Sequence, residues 1–350
     1  MGEHFDKIYV ANFDEAYPRL KRLARRRVLL LGNGFTQAAV GKSFSYSNLR
    51  KSINVGNLNV GQAIHQIFDY FGTDDFERII QELLDADYIG SQYKLTAGQM
   101  KADAETLKNE LIAAISTQHP DHPWDGITDK QYLRTKDFLK CFKELYSTNY
   151  DLLLYWAFLW GELTDQFKDG FKKENGLLIW EGAEQSVHYI HGGLHLFHLN
   201  WSSKAEVQQD VELNLFNVIK LSSKRDGEHL KDQIEQRLNK GIFPLTVAEG
   251  NWKAKLNKVG GHPYLRHCLK ALSNNSHTVM TLGLSFGQDD HILKAIGDSP
   301  CKQVWVGVYN PSLPILKKLD ADFSPIVESR KSKGRPLQIS FYNTTSMPIW

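Results

Sequence analysis

Five short polar segments carry residue types that can hold an anion, orient a hydroxyl or move a proton, and each follows an apolar run. The first, Gly32-Asn33-Gly34-Phe35-Thr36, follows VLLL at 28–31. A glycine turn between strand and helix lets backbone approach a phosphate, and the helix N-terminus attracts its charge; Thr36 adds a hydroxyl near the same amides. The second, Ser147-Thr148-Asn149-Tyr150-Asp151, precedes the apolar LLLYWAFLW. One such residue suffices to cap a helix. A run of them points to a ligand-facing loop, where the Asn149 amide offers a ribose hydroxyl and a water both donor and acceptor. The third, YIHGG at 189–193, sets His191, a proton-exchanging side chain near neutral pH, at the end of a short apolar stretch. His195 and His198 follow, but GGLHLFHLN does not read as a helix that would gather the three histidines around a metal. The fourth, GLSFGQDD at 283–290, brings Gly283 and Ser285 toward a phosphate or ribose, with Asp289 or Asp290 as a helix cap. The fifth, YNPS at 309–312, brings Asn310 to a ribose.

These loops need strands to hold them. The continuous apolar run at 28–31 reads as a strand buried on both faces, 278–284 reads as another buried strand, and 187–190 and 303–308 read as strands. Further strands are read at 138–146 and in LQISFY, and helical patterns stand between them. Alternating strands and helices predict an α/β fold with a doubly wound, mostly parallel, Rossmann-like sheet. In such sheets ligands bind outside the carboxyl ends of the strands, where all five loops lie. One domain over 1–350 is expected, its sheet core at about 28–50 and 138–350. Helical insertions are expected at about 51–137 and 203–240; in the first, Ile64, Ile67, Phe68 and Phe71 follow helical spacing, and Thr73 or Asp74 is read as the cap of the next helix. The basic run at 19–27 reads as a solvated helix face or a strand entry.

Composition narrows the function. Among 350 residues, 42 Lys+Arg against 40 Asp+Glu leave a net charge of +2, which gives no field for nucleic acid or an anionic membrane. The longest apolar run, at 152–160, falls short of the ~20 residues of a membrane span. Cys141, Cys268 and Cys301 stand far apart without a CxxC, so neither a disulfide framework nor a cysteine zinc site is expected. A cytoplasmic protein with reduced thiols and no bound metal is the expectation. The first glycine turn lacks the third glycine of GxGxxG, and no acidic residue follows a second strand ~20 positions on, which disfavours a dinucleotide oxidoreductase.

Taken in order, the loops resemble the sirtuin family. Its pattern is Gly-x-Gly-x-Ser, Thr-Gln-Asn-x-Asp, a catalytic His-Gly, Gly-Thr-Ser and a strand ending in Asn. The counterparts are Gly32–Thr36, with Thr for Ser, then Ser147–Asp151, His191-Gly192, Gly283-Leu284-Ser285 and Asn310. GNGF, FSY at 44–46, STNYDLLLYW, HGGLHLF and VAEG at 247–250 further resemble a bacterial sirtuin-like branch of unknown function. Two features depart from the family: the four cysteines of its structural zinc module are absent, and no Pro-x-Phe-Arg follows the glycine turn. Sirtuin-like proteins without that module are similar to bacterial antiphage effectors that hydrolyse and deplete NAD.

The resemblance implies an NAD glycohydrolase that uses NAD as substrate and no zinc. It implies that Asn149 orients ribose and water, His191 is the general base, and Asp151 fixes the loop or a ribose hydroxyl. Gly32, Asn33, Gly34, Phe35, Thr36 and Thr148 would contact the dinucleotide, with Gly283, Ser285 and Asn310 at its adenosine half. A homo-oligomer or a separate defence partner, such as an ATPase ring, is the implied source of control. Two alternatives share the site: an NAD-dependent protein deacylase, and a catalytically silent nucleotide-binding or assembly protein.

Overall fold

The computed structural model describes residues 2–350 apart from 6–7, 14, 17, 19–26, 42–44, 96–97, 175, 183, 199–217, 223–229, 346 and 348. Most of the basic run at 19–27, and Phe44 of FSY, therefore lie outside the described residues.

The strands are β1 (Glu3–Phe5), β2 (Ile8–Asn12), β3 (Arg27–Leu31), β4 (Glu144–Ser147), β5 (Phe171–Glu174), β6 (Leu177–Trp180), β7 (Val187–Tyr189), β8 (Leu196–His198), β9 (Val218–Lys220), β10 (Thr278–Leu282), β11 (Gln303–Val308) and β12 (Gln338–Asn343). Eight form one sheet in the order β1-β2-β12-β11-β10-β3-β4-β7. Every neighbouring pair in it is parallel except the β1–β2 hairpin at one edge. All five residues of β3 are buried, as is most of β10 and β11. Burial on both faces is why β3 reads as an unbroken apolar run from Val28 to Leu31 rather than as an alternating pattern.

The strand order locates the site. From β3 the chain moves outward through β4 to β7, then returns to β10 on the other side of β3 and moves outward again through β11 to β12. The order therefore reverses between β3 and β10, whose residues pair in register from Thr278↔Arg27 to Leu282↔Leu31. Loops leaving neighbouring strands in opposite directions open a crevice at their carboxyl ends, where ligands of open α/β sheets bind.

Helices fill the connections. α1 (Asn33–Val40) follows β3. Between it and β4 stand α2 (Tyr46–Ser52), α3 (Ala63–Tyr70), α4 (Phe76–Gln92), α5 (Gln99–Gln118) and α6 (Asp129–Leu139). Asp75, not Thr73 or Asp74, caps α4 by accepting from the amides of Glu77 and Arg78. Thr128 and Gln131 form a reciprocal capping box on α6. Then come α7 (Leu153–Gly161), α8 (Leu230–Leu238), α9 (Trp252–Gly261), α10 (Pro263–Ser273), α11 (Asp290–Asp298) and α12 (Leu313–Ser332). α7 is almost wholly buried, which explains its all-apolar sequence.

Three features depart from the expected organisation. The sheet includes residues 3–12, ahead of the expected core at 28–50, and most of that core beyond Leu31 is helical. A second, antiparallel sheet runs β5-β6-β9-β8. Its strand β9 falls inside the segment expected to be helical at 203–240, of which 203–217 and 223–229 lie outside the described residues. Strands of three to five residues are too short to show a period, so pairing rather than local pattern defines them. No helix among the described residues is long and apolar enough to cross a membrane.

Candidate active site

The loops after β3, β4, β7 and β10 meet at the point of reversal. Gly32 donates its amide to Leu282 O at 2.9 Å, Gly34 to Gly283 O at 3.0 Å, and Phe35 to Gly32 O at 2.9 Å. Three amides at the start of α1 are thus used within the protein. A Cβ on Gly34 would lie 2.5 Å from the Gly283 Cα, and Gly283 itself has φ +75°. The glycines of the first and fourth loops serve the close approach of the two backbones, a different use from the phosphate contact expected of them. Gly34→Ala should therefore overpack the junction and cost about 1–3 kcal/mol. Thermal melting checks this; an unchanged melting temperature would contradict the packing role.

The β3 and β4 loops build a buried polar chain. Thr36 donates its hydroxyl to Asp151 Oδ2, and Asn149 Nδ2 donates to Thr36 Oγ1 at 3.0 Å. Asp151 Oδ1 accepts the Leu153 amide at 2.9 Å, opening α7. Burial raises the Asp151 pKa, and the Thr36 hydroxyl opposes the rise. The chain sets the orientation of the Asn149 amide. A carboxylate only accepts, so Thr36 spends its proton on Asp151 and must accept from the Asn149 NH₂. Asn149 Oδ1 is left facing away, buried, with no hydrogen-bonding partner among the described residues. A buried acceptor in that condition costs ~1–3 kcal/mol unless a donor arrives. Thr148 caps the end of β3 through its amide and hydroxyl, both on Leu31 O.

His191 touches Tyr150 of the same β4 loop and is only 3% exposed. Its backbone is clamped from both sides: Val247 donates its amide to His191 O at 3.0 Å, and Gly193 donates to Leu245 O at 2.9 Å. Gly192 between them has φ +78°, and a Cβ there would lie 1.9 Å from Leu245 O, so only glycine fits. The ring hydrogen-bonds to the Thr148 backbone, stacks on Tyr150 at 6.4 Å, and meets His291 with Nε2 to Nε2 at 2.8 Å. Burial drives its pKa well below the usual histidine value, against the opposing charge of Asp289. His291 is likewise lowered, to about 4. Both rings are therefore neutral at pH 7. The Thr148 carbonyl takes the Nδ1 proton of His191, which leaves its Nε2 as an acceptor for His291 Nε2–H. This tautomer follows from the hydrogen-bond network.

Behind the two imidazoles lies a set of charges that sequence reasoning missed. Asp289 Oδ1 is 3.8 Å from His191 Nε2 and 2.8 Å from Lys255 Nζ, which is 2.7 Å from Glu77 Oε2. Lys255 is almost fully buried. Burial alone would lower its pKa, but the Glu77 and Asp289 carboxylates raise it above the usual lysine value. Burial pushes Glu77 up to about 8 in spite of Lys255. Burial also works to raise Asp289, but Lys255 and the imidazoles hold it below the usual carboxylate range. The ion pair at neutral pH is accordingly Lys255–Asp289, with Glu77 as a largely protonated hydrogen-bonding neighbour. Asp289, read from sequence as a possible cap, stands at the N-cap of α11 and makes no side-chain capping bond.

The remaining candidates spread out. Phe35 is core, with its carbonyl accepting Trp350 Nε1 at 3.0 Å and its ring 5.0 Å from that indole. Asn33 and Ser285 are exposed at the crevice rim. Asn310 is exposed in a left-handed turn, φ +44°, where its side chain accepts from Thr345. His195 packs against Tyr155 and Tyr189, and His198 against His262, so neither joins His191. None of the three cysteines forms a disulfide among the described residues, and burial pushes the Cys268 thiol up to about 12.

A family model described as "Domain of unknown function (DUF4917)" matches residues 29–350. No curated protein matches the chain. Among solved structures, one described as "Structural Basis for the Mechanism and Regulation of Sir2 Enzymes" is similar at 11% identity, with a TM-score of 0.35, over 92% of this chain and 99% of its own. Another, described as "Structure of Sir2Tm bound to a propionylated peptide", is similar at 12% identity, with a TM-score of 0.35, over 92% of this chain and 98% of its own.

Proposed function

The chain belongs to the DUF4917 family, matched over residues 29–350, and we propose that it hydrolyses NAD to nicotinamide and ADP-ribose at the crevice between β3 and β10. The observation that carries this reading is Asn149 Oδ1, buried without a partner among the described residues and fixed through Thr36 and Asp151, in the loop whose Tyr150 stacks on His191. It asks for a donor, and a ribose hydroxyl or a water supplies one. The ordered sirtuin-like motifs name the same residues. The strand order supports it too: it reverses between β3 and β10, and open parallel sheets bind dinucleotides at such a reversal.

The chemistry needs little covalent help. Nicotinamide leaves the anomeric carbon as a neutral group from a cationic one, through an oxocarbenium-like state, so positioning matters more than a strong nucleophile. Asn149 Oδ1 holds the water or ribose hydroxyl. His191 Nε2 takes its proton once His291 yields that contact; the water oxygen bonds to the anomeric carbon as the C–N bond breaks. By the same resemblance the activity is that of an NAD-depleting effector of bacterial antiphage defence in the cytoplasm. A homo-oligomer or a partner such as an ATPase ring then restrains it.

Incubating the purified chain with NAD alone and resolving the products tests the reading. Nicotinamide and ADP-ribose should accumulate without acylated peptide. Strict dependence on an acyl-lysine peptide would make the protein a deacylase. Added chelator should leave the fold intact and should not lower turnover; unfolding in chelator would reveal a structural metal.

A further inference from the structure

Among the described residues, His191, Asp289 and His291 each bring a ligating atom within 4.8 Å of the other two. The loop after β7 supplies the first; the start of α11 supplies the others. The two Nε2 atoms stand 2.8 Å apart, and Asp289 Oδ1 lies 3.8 Å from that of His191. A Zn²⁺-class ion takes imidazole nitrogen and carboxylate oxygen at about 2.0–2.2 Å, which puts its ligands about 3–3.5 Å from one another. The three side chains already stand close to that spacing.

The surroundings suit an ion as well. Metal-ligating histidines commonly fix the ring by giving the other N–H to a carbonyl or carboxylate, and the Thr148 backbone does this for His191. Lys255 steadies Asp289 at 2.8 Å and also hydrogen-bonds Glu77 at 2.7 Å, so the ammonium holds the Asp289 carboxylate in place before any ion arrives. The Asp289 side chain is 19% exposed, which leaves the site a path from solvent. Two imidazoles and one carboxylate favour Zn²⁺, Co²⁺ or Ni²⁺ over Mg²⁺ or Ca²⁺.

We propose that His191, Asp289 and His291 form a site for a divalent transition metal of the Zn²⁺ class, and that metal bound there silences the hydrolysis. Binding replaces the hydrogen bond between the imidazoles. The Nε2 proton of His291 moves to its Nδ1, and both Nε2 lone pairs go to the metal. His191 then has no lone pair for a water or hydroxyl proton. The silencing rests on the hydrolase reading above; the binding does not.

The test begins with chelator-stripped, dialysed full-length chain titrated with Co²⁺ by calorimetry and visible absorption, without NAD. One equivalent should bind, with ligand-field bands, and Zn²⁺ should displace it. His291→Gln and Asp289→Asn should each weaken binding at least ~10-fold, the smallest loss expected when even a supporting partner is removed. His267→Gln, a partly exposed imidazole on α10, should change nothing. Cu²⁺ resonance spectra of the wild-type chain need no variant and should show two imidazole nitrogens. Absence of stoichiometric binding, spectra without two nitrogens, or unchanged affinity in folded His291→Gln would overturn the site. In a second arm, Zn²⁺ should stop NAD consumption at the midpoint of its binding. Stoichiometric binding with undiminished turnover would overturn the silencing. A metal-free chain that binds one equivalent yet never consumes NAD would instead sink the hydrolase reading and leave the site standing.

Discussion

Asn149→Ala should lower NAD turnover at least ~10²-fold while leaving the melting temperature unchanged or slightly raised. The loss follows from position: the amide oxygen that would hold a ribose hydroxyl or water disappears, and removing one such fixed polar group typically costs ~10²–10³-fold. The stability forecast follows from Asn149 Oδ1 having no partner among the described residues. Deleting the amide breaks one bond to Thr36 at 3.0 Å but also removes a buried, unsatisfied acceptor, and the two effects nearly cancel. A structural asparagine would behave the opposite way, losing stability and keeping turnover in the folded fraction. His191→Ala should cost ~10²–10⁴-fold in rate. The structure buries the ring against His291 and Tyr150, so this variant should also melt earlier. Turnover and melting must be read on the same samples. A folded Asn149→Ala protein with near-normal turnover would remove the main support for the proposed chemistry.

Lys255→Met should destabilise the chain by about 3–5 kcal/mol, the usual effect of breaking a buried ion pair from one side. The thioether fills the volume but leaves Asp289 and Glu77 with no cation between them. For a chain of this size that corresponds to a melting-temperature drop of about 5 °C. Glu77→Gln should behave differently, because Glu77 is pushed up to about 8 and already holds a proton at neutral pH. An amide imitates that acid. The sign of the pH dependence follows from the same fact. A carboxyl whose folded pKa lies above its unfolded value contributes stability that is full below about 4.5 and is lost as pH rises toward about 8. Glu77→Gln should therefore gain on the wild type across that window, by roughly 1 kcal/mol per pH unit. Denaturant melts at three pH values measure it. Equal slopes for the two proteins would show that Glu77 is ionised throughout, and an unchanged Lys255→Met melt would show that the buried charges are not coupled.

The sequence by itself determined the parallel core and the chain's polar loops. Residues 28–31 are apolar without alternation because both faces of β3 are covered, and that requirement is local enough to be read directly. Thr36, Asn149 and Asp151 were legible for a related reason: they follow the ends of adjacent parallel strands, so any sheet pairing β3 with β4 brings them together. Tertiary structure alone decided what the glycines are for and what His191 touches. Gly34 looked like a phosphate turn, and only the register of β3 on β10 shows it pressed against Gly283. Lys255 sits in WKAKLNK among lysines that all resemble a solvated face, and Glu77 resembles an ordinary first-turn acid. They meet across 178 positions. No periodicity encodes such a meeting, because a charge is buried only where several elements converge to supply its partner. Sequence names the groups able to carry charge; the fold selects which of them leave water.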